Sequence, residues 1–256
     1  MKKNIVLLFA LSGLVWKAAA QSSDPTTVIS ESDNLKKLRF GVYVAPTLSM
    51  MRPSAEKDGD QTQANGGNKL GFTYGLMADY NFTDNYAIAT GLQVNSTGGI
   101  ITTENLKTTN GVSKSNIDYS LQFLEVPVAL KLRTDMVGKF RFFGQAGLSV
   151  GFNISKKYTY QVTEKKTGLP DTTYATTEKE KITGGIGAIA PVMFQMNVGI
   201  GAQYAIGSKL DAYFGVFFNN GFAPNITIPE KFDNLPDFKD GNTRLNNFAL
   251  RLGFFF

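Results

Sequence analysis

From Leu38 to the last residue, apolar and polar positions alternate with a period of two almost without interruption. A strand places successive side chains on opposite faces, so this alternation reads as half-buried β-structure. Eight runs carry it: about Leu38–Met50, Lys69–Phe82, Asn85–Ile101, Ile117–Leu132, Lys139–Ile154, Pro191–Ile206, Leu210–Phe222 and Arg244–Phe256. No stretch combines helical spacing of apolar residues with capping residues at its ends.

The connections alternate as strictly as the strands. Thr83-Asp84, Arg133–Gly138 and Gly207-Ser208-Lys209 are short, whereas about 51–68, 102–116, 155–190 and 223–243 are long. In an up-and-down barrel this gathers every long connection at one end and every short turn at the other. Outer-membrane barrels follow that plan, with short periplasmic turns and long extracellular loops. Within the third long connection, Thr167–Asp171 reads as a hairpin tip, expected to project above the membrane.

The two faces of each run differ in a way that sets inside from outside. In "LEVPVALKLR", Leu124, Val126, Val128, Leu130 and Leu132 oppose Glu125, Pro127, Ala129, Lys131 and Arg133. In the second run Leu70, Phe72, Tyr74, Leu76, Tyr80 and Phe82 oppose Gly71, Thr73, Gly75, Met77, Asp79 and Asn81. The poorer face is too rich in glycine and amide, and too poor in charge, for a soluble surface. It suits the cramped polar interior of a small membrane barrel, and the bulky face then meets lipid. Tyr74, Tyr80, Tyr86 and Tyr204 are candidates for aromatic girdles. The prediction is an all-β fold: an eight-stranded antiparallel up-and-down transmembrane β-barrel over 38–256.

The N-terminus agrees with export. Lys2 and Lys3 precede a short apolar run, and Ala18-Ala19-Ala20 supplies small residues before Gln21. Residues 1–20 read as a signal peptide cleaved after Ala20, and 21–37 as a flexible polar segment. The leader holds Lys2, Lys3 and Lys17 and no acid, so the formal charge falls from +5 by 3 to +2 on cleavage. No argument for nucleic-acid binding survives that change.

Composition removes much chemistry. The chain has no cysteine and no histidine, which excludes thiolate sites, the commonest catalytic base and the commonest zinc ligand. No catalytic, metal or cofactor residues are assigned, and an enzyme is not expected. The glycines of "NVGIGA" precede no helix, so they are not a dinucleotide loop; Gly199 and Gly201 are expected on the lumen side, where bulk does not fit. "NST" at 95–97 and "NIT" at 225–227 match a glycosylation sequon by spacing alone.

Charged residues on the lumen phase are Arg39, Asp79, Glu125, Lys131, Arg141, Asp211 and Arg251. Unpaired ions are costly to desolvate, so they should pair. Counting from the strand ends puts Glu125 and Arg251 at similar depth. The expectation is an interior ion pair of Glu125 with Arg251, Arg141 or both. Pro127, lacking an N–H, should remove a ladder bond or mark a bulge.

The Ala20-Gln21 leader end, "FGVYVAPTLS", "LEVPVALKLR", "MNVGIGAQYAI" and the aromatic terminus Phe256 together resemble the PorT-like family of outer-membrane β-barrel proteins. The resemblance spans roughly 38–256 and rests most on "LEVPV". It implies an eight-stranded barrel, and for some members a part in protein export across the outer membrane by the type IX route. The partners it implies are outer-membrane lipid, the barrel assembly machinery that reads the terminal aromatic and, in the export role, other secretion components, with the chain as a monomer. Surface binding or adhesion through the long loops and a narrow channel are the competing readings.

Overall fold

A computed structural model describes residues 37–107, 109–179, 189–207, 209–226 and 242–256. Residues 1–36, and with them the expected signal peptide and most of the polar segment, lie outside the described residues.

Among the described residues, eleven strands form one antiparallel sheet: β1 (Leu38–Pro53), β2 (Lys57–Asp58), β3 (Gln61–Gly67), β4 (Lys69–Asn81), β5 (Tyr86–Asn105), β6 (Gly111–Arg133), β7 (Phe140–Lys166), β8 (Leu169–Lys179), β9 (Val192–Ala205), β10 (Asp211–Gly221) and β11 (Thr243–Phe255). Eight of them, β1-β4-β5-β6-β7-β9-β10-β11, close into a ring, since β11 pairs with β1 and β5 with β6. These are the eight strands predicted from the alternation. The three extra strands fall in expected connections: β2 and β3 in 51–68, and β8 after the tip near 167–171.

The ring is staggered. Following register partners from Arg39 leads through Asp79, Ala89, Ala129, Gly147, Asn197, Asn219 and Asn247 to Ser49, ten positions further along β1 than the start. Closure with such a shear tilts the strands and leaves an interior that side chains can fill.

The faces point as predicted. Lys131 and Glu125, each 1% exposed, are inside, whereas Ile200 is 70% exposed outside. Leu76, Val128, Leu148, Val216 and Leu252 extend the outward apolar band around the ring. Near the short turns, Tyr80 packs edge-on against Phe82, and Tyr204 lies 4.9 Å from Phe140, forming an aromatic rim. Tyr74 does not belong to that rim, because it pairs in mid-strand with Val44 and Val94.

β6 shows why two expected loops are strand instead. From Leu124 to Leu132 its outward residues are Leu and Val. From Lys114 to Gln122 they are Lys, Asn, Asp, Ser and Gln, while Ile117, Tyr119, Leu121 and Phe123 point inward and are buried. The alternation continues but its polarity reverses where the strand leaves the lipid-facing band. Thus 102–105 and 111–116 belong to a β5–β6 hairpin, and 155–166 to β7. The β7–β8 hairpin turns at Thr167-Gly168, where Gly168 takes φ +81°, a left-handed conformation suited to glycine. Asn110 Oδ1 accepts from Thr167 N at 2.8 Å, tying the tips of the two hairpins together.

Pro127 removes pairing without a bulge. The β5–β6 ladder breaks between Thr90↔Val128 and Gln93↔Glu125 and resumes in the same register. Thr90 Oγ1 donates to the Pro127 carbonyl at 2.8 Å inside that gap.

Candidate functional site

The lumen is filled in layers. At the short-turn end, Lys131 on β6 reaches β4 and meets Asp79 Oδ2 at 2.6 Å. Its ammonium also lies 5.0, 5.2 and 4.7 Å from the ring centroids of Phe143, Tyr213 and Phe255. A buried ammonium needs both a counter-ion and a polarisable surround, and this cage supplies both. Arg133 is a second, longer partner of Asp79 at 3.6 Å and donates to Asn81 Oδ1. Arg39 spans to Asp211 at 2.8 Å, over the Phe255 ring.

The middle layer holds Glu125 and Arg251, but not as an ion pair. Among the described residues no salt bridge within 4.0 Å includes Glu125, Arg141 or Arg251. Glu125 instead accepts from Gln93 Nε2 and, at 2.7 Å, from Asn95 Nδ2. Tyr43 donates to Gln93 Oε1, and Thr73 Oγ1 to Asn95 Oδ1 at 2.9 Å, so both amides are held in orientation. Arg251 stacks on Phe217 at 4.1 Å and on Tyr43 at 4.9 Å. Tyr43 therefore bridges the two groups: its ring carries Arg251 and its hydroxyl reaches the amide that grips Glu125. The expected pairing fails because Gln93 and Asn95 take both oxygens of the Glu125 carboxylate, while Arg251 turns onto the Phe217 and Tyr43 rings. Gln93, directly opposite Glu125 in register, is the nearer partner.

Above this layer, Met51, Ile101, Ile117, Tyr119, Leu121, Phe123, Tyr158, Met193 and Leu245 form a buried apolar cluster, joined by Ile189 and Ile226. The inward aromatic residues lower down fit only because glycines face them. A Cβ on Gly199 would lie 2.2 Å from the Phe217 ring, and one on Gly201 2.5 Å from Phe143.

Of the seven lumen charges expected from sequence, Lys131, Asp79, Arg39 and Asp211 are joined in ion pairs, and Glu125, Arg141 and Arg251 are not. Arg133 was assigned to a turn, yet it continues the Lys131 phase and ends β6 inside the lumen. The unbroken alternation of "LKLR" carries that signal. Both sequon asparagines, Asn95 and Asn225, are buried.

No curated protein matches the sequence. Among solved structures, the chain is similar to Neisserial surface protein A, with 12% identity and a TM-score of 0.43 over 84% of this chain and 95% of that one. It is similar to Ail, the attachment invasion locus protein of Yersinia pestis, with 11% identity and a TM-score of 0.36 over 85% and 98%. It is also similar to the outer membrane protein OprG from Pseudomonas aeruginosa, with 11% identity and a TM-score of 0.39 over 86% and 95%. The model of the outer membrane protein beta-barrel domain family matches residues 19–219. With a closed eight-stranded ring, an apolar exterior and a charged interior, the chain belongs to that family, and its place is the bacterial outer membrane.

Proposed function

We propose that this chain is a PorT-like, non-catalytic barrel that acts as a scaffold or accessory of protein export across the outer membrane. On this reading residues 1–20 are a signal peptide removed after Ala20. The short turns face the periplasm, and Phe256 is read by the barrel assembly machinery. The mature chain is a monomer in outer-membrane lipid that meets other secretion components through its surfaces. The observation that carries this is the filled lumen: an ion-paired and aromatic layer, an amide layer and an apolar cluster follow one another along the axis. A barrel filled in this way works through its rim and projecting strands rather than by conducting solute. Deleting the gene and measuring secreted proteins tests the export role; unchanged secretion removes it. Bilayer recordings of the purified barrel are expected to be silent, and a steady conductance would favour the channel.

A second reading, surface binding or adhesion, is favoured by the exposed β7–β8 hairpin, whose residues 165–175 all face solvent. Replacing 157–179 by a tight turn should leave secretion intact and abolish surface binding on this reading.

A further inference from the structure

The short-turn end of the lumen carries more positive charge than its carboxylates neutralise. Arg39, Lys131, Arg133 and Arg141 share this level with Asp79 and Asp211. Lys131 occupies Asp79 at 2.6 Å and Arg39 occupies Asp211 at 2.8 Å. Arg133 reaches the already neutralised Asp79 only at 3.6 Å. Arg141 has no carboxylate within 4.0 Å among the described residues.

The surplus is concentrated in one sector. β6, β7 and β9 are consecutive in the ring. Arg141 lies directly opposite Gln203 in the β7–β9 register, and Arg133 opposite Phe143, two residues along β7 on the same face. Gln203 is 2% exposed. Both of its side-chain polar atoms, Arg133 Nε and Arg141 Nε are buried without a hydrogen-bond partner. Two adjacent like charges beside an unpartnered buried amide are unfavourable by themselves. The register sets these groups side by side on adjacent strands, with half-buried Arg141 nearest the mouth.

We propose that Arg133, Arg141 and Gln203 form an oxyanion site at the short-turn mouth of the barrel, taking a phosphate or carboxylate group. Guanidinium groups bind both anions through paired, charge-assisted hydrogen bonds. Gln203 Nε2 donates a further bond. A monohydrogen phosphate also offers an O–H to Gln203 Oε1, which a carboxylate lacks, so phosphate matches the full donor and acceptor set. The group bound is one presented from the side of the short turns, as a free anion or as part of a larger molecule.

The test uses the full chain folded in detergent micelles, with side-chain ¹⁵N-glutamine signals and thermal unfolding read at constant ionic strength. Inorganic phosphate should shift the Gln203 amide signal saturably and raise Tm, with sodium chloride as the control. Acetate in a parallel arm separates the classes: an equal response assigns a carboxylate site, and a response to phosphate alone a phosphate site. Arg141→Gln, which removes no ion pair among the described residues, should weaken binding at least tenfold. Gln203→Glu should raise Tm without phosphate and abolish the phosphate response, because the chain then supplies the anion itself. A response matched by sodium chloride, or unaltered in Arg141→Gln, would mean that water and screening satisfy these groups, and would overturn the proposal.

Discussion

At the scale of single residues, the interior is governed by how each ion is satisfied. Lys131 and Asp79 are both buried and depend on each other. Removing one partner of such a pair typically costs about 3–5 kcal/mol, whereas replacing both by apolar residues is often neutral. Lys131→Met should therefore lower unfolding free energy by about 3–5 kcal/mol in urea titrations of the detergent-folded barrel. Adding Asp79→Leu should recover most of that loss; no recovery would show that the lysine acts mainly through its aromatic cage. Glu125 poses a different case, since its partners are neutral amides. Glu125→Ala leaves Gln93 Nε2 and Asn95 Nδ2 without their acceptor, for an expected loss of about 1–3 kcal/mol by the same titration. If Arg251→Met cost as much as Glu125→Ala and the two losses failed to add, direct coupling of the two charges would have to be restored to the account.

At the scale of elements, glycine and proline act through what they omit. Gly199 leaves room for the Phe217 ring, on which Arg251 stacks. Gly199→Ala should cost about 1–3 kcal/mol by overpacking. Pairing it with Phe217→Leu should return part of the loss, and a merely additive double variant would argue against the steric account. Pro127 interrupts one ladder but leaves its register intact. Pro127→Ala should shift Tm little, because the native strand already lacks the bond that alanine could restore. A change in strand register, seen as altered backbone NMR pairing across Thr90 and Gln93, would contradict this.

At the scale of the whole molecule, the same sheet obeys two opposite rules. Below Leu124 the apolar face looks outward; above it the apolar face looks inward. Lipid surrounds the first part and water the second, so each sends its bulky residues away from the wrong solvent. Val128 and Ser120 share the outward phase of β6 and lie in the two regimes. Val128→Arg should destabilise by about 2–4 kcal/mol in lipid bilayers. Ser120→Arg should cost less, about 0.5–1.5 kcal/mol, for the half-buried 2.7 Å hydrogen bond that Lys69 Nζ donates to the Ser120 hydroxyl. Equal losses at both sites would place the lipid boundary elsewhere.

The alternation alone determined the eight barrel strands, their antiparallel order and which face looks inward, because period two and the contrast of the two faces are local properties of the chain. It also placed Gly199, Gly201 and all seven inward charges on buried or half-buried lumen positions. It did not reveal that strand continues through 102–105, 111–116 and 155–166, since there the outward face turns polar and reads as loop. Partners were legible only in the tertiary structure. Whether Glu125 meets Arg251 or Gln93 depends on how the strands are brought together when the ring closes with its ten-residue stagger. That stagger joins residues more than a hundred positions apart, such as Arg39 and Asp211, and no local pattern encodes it.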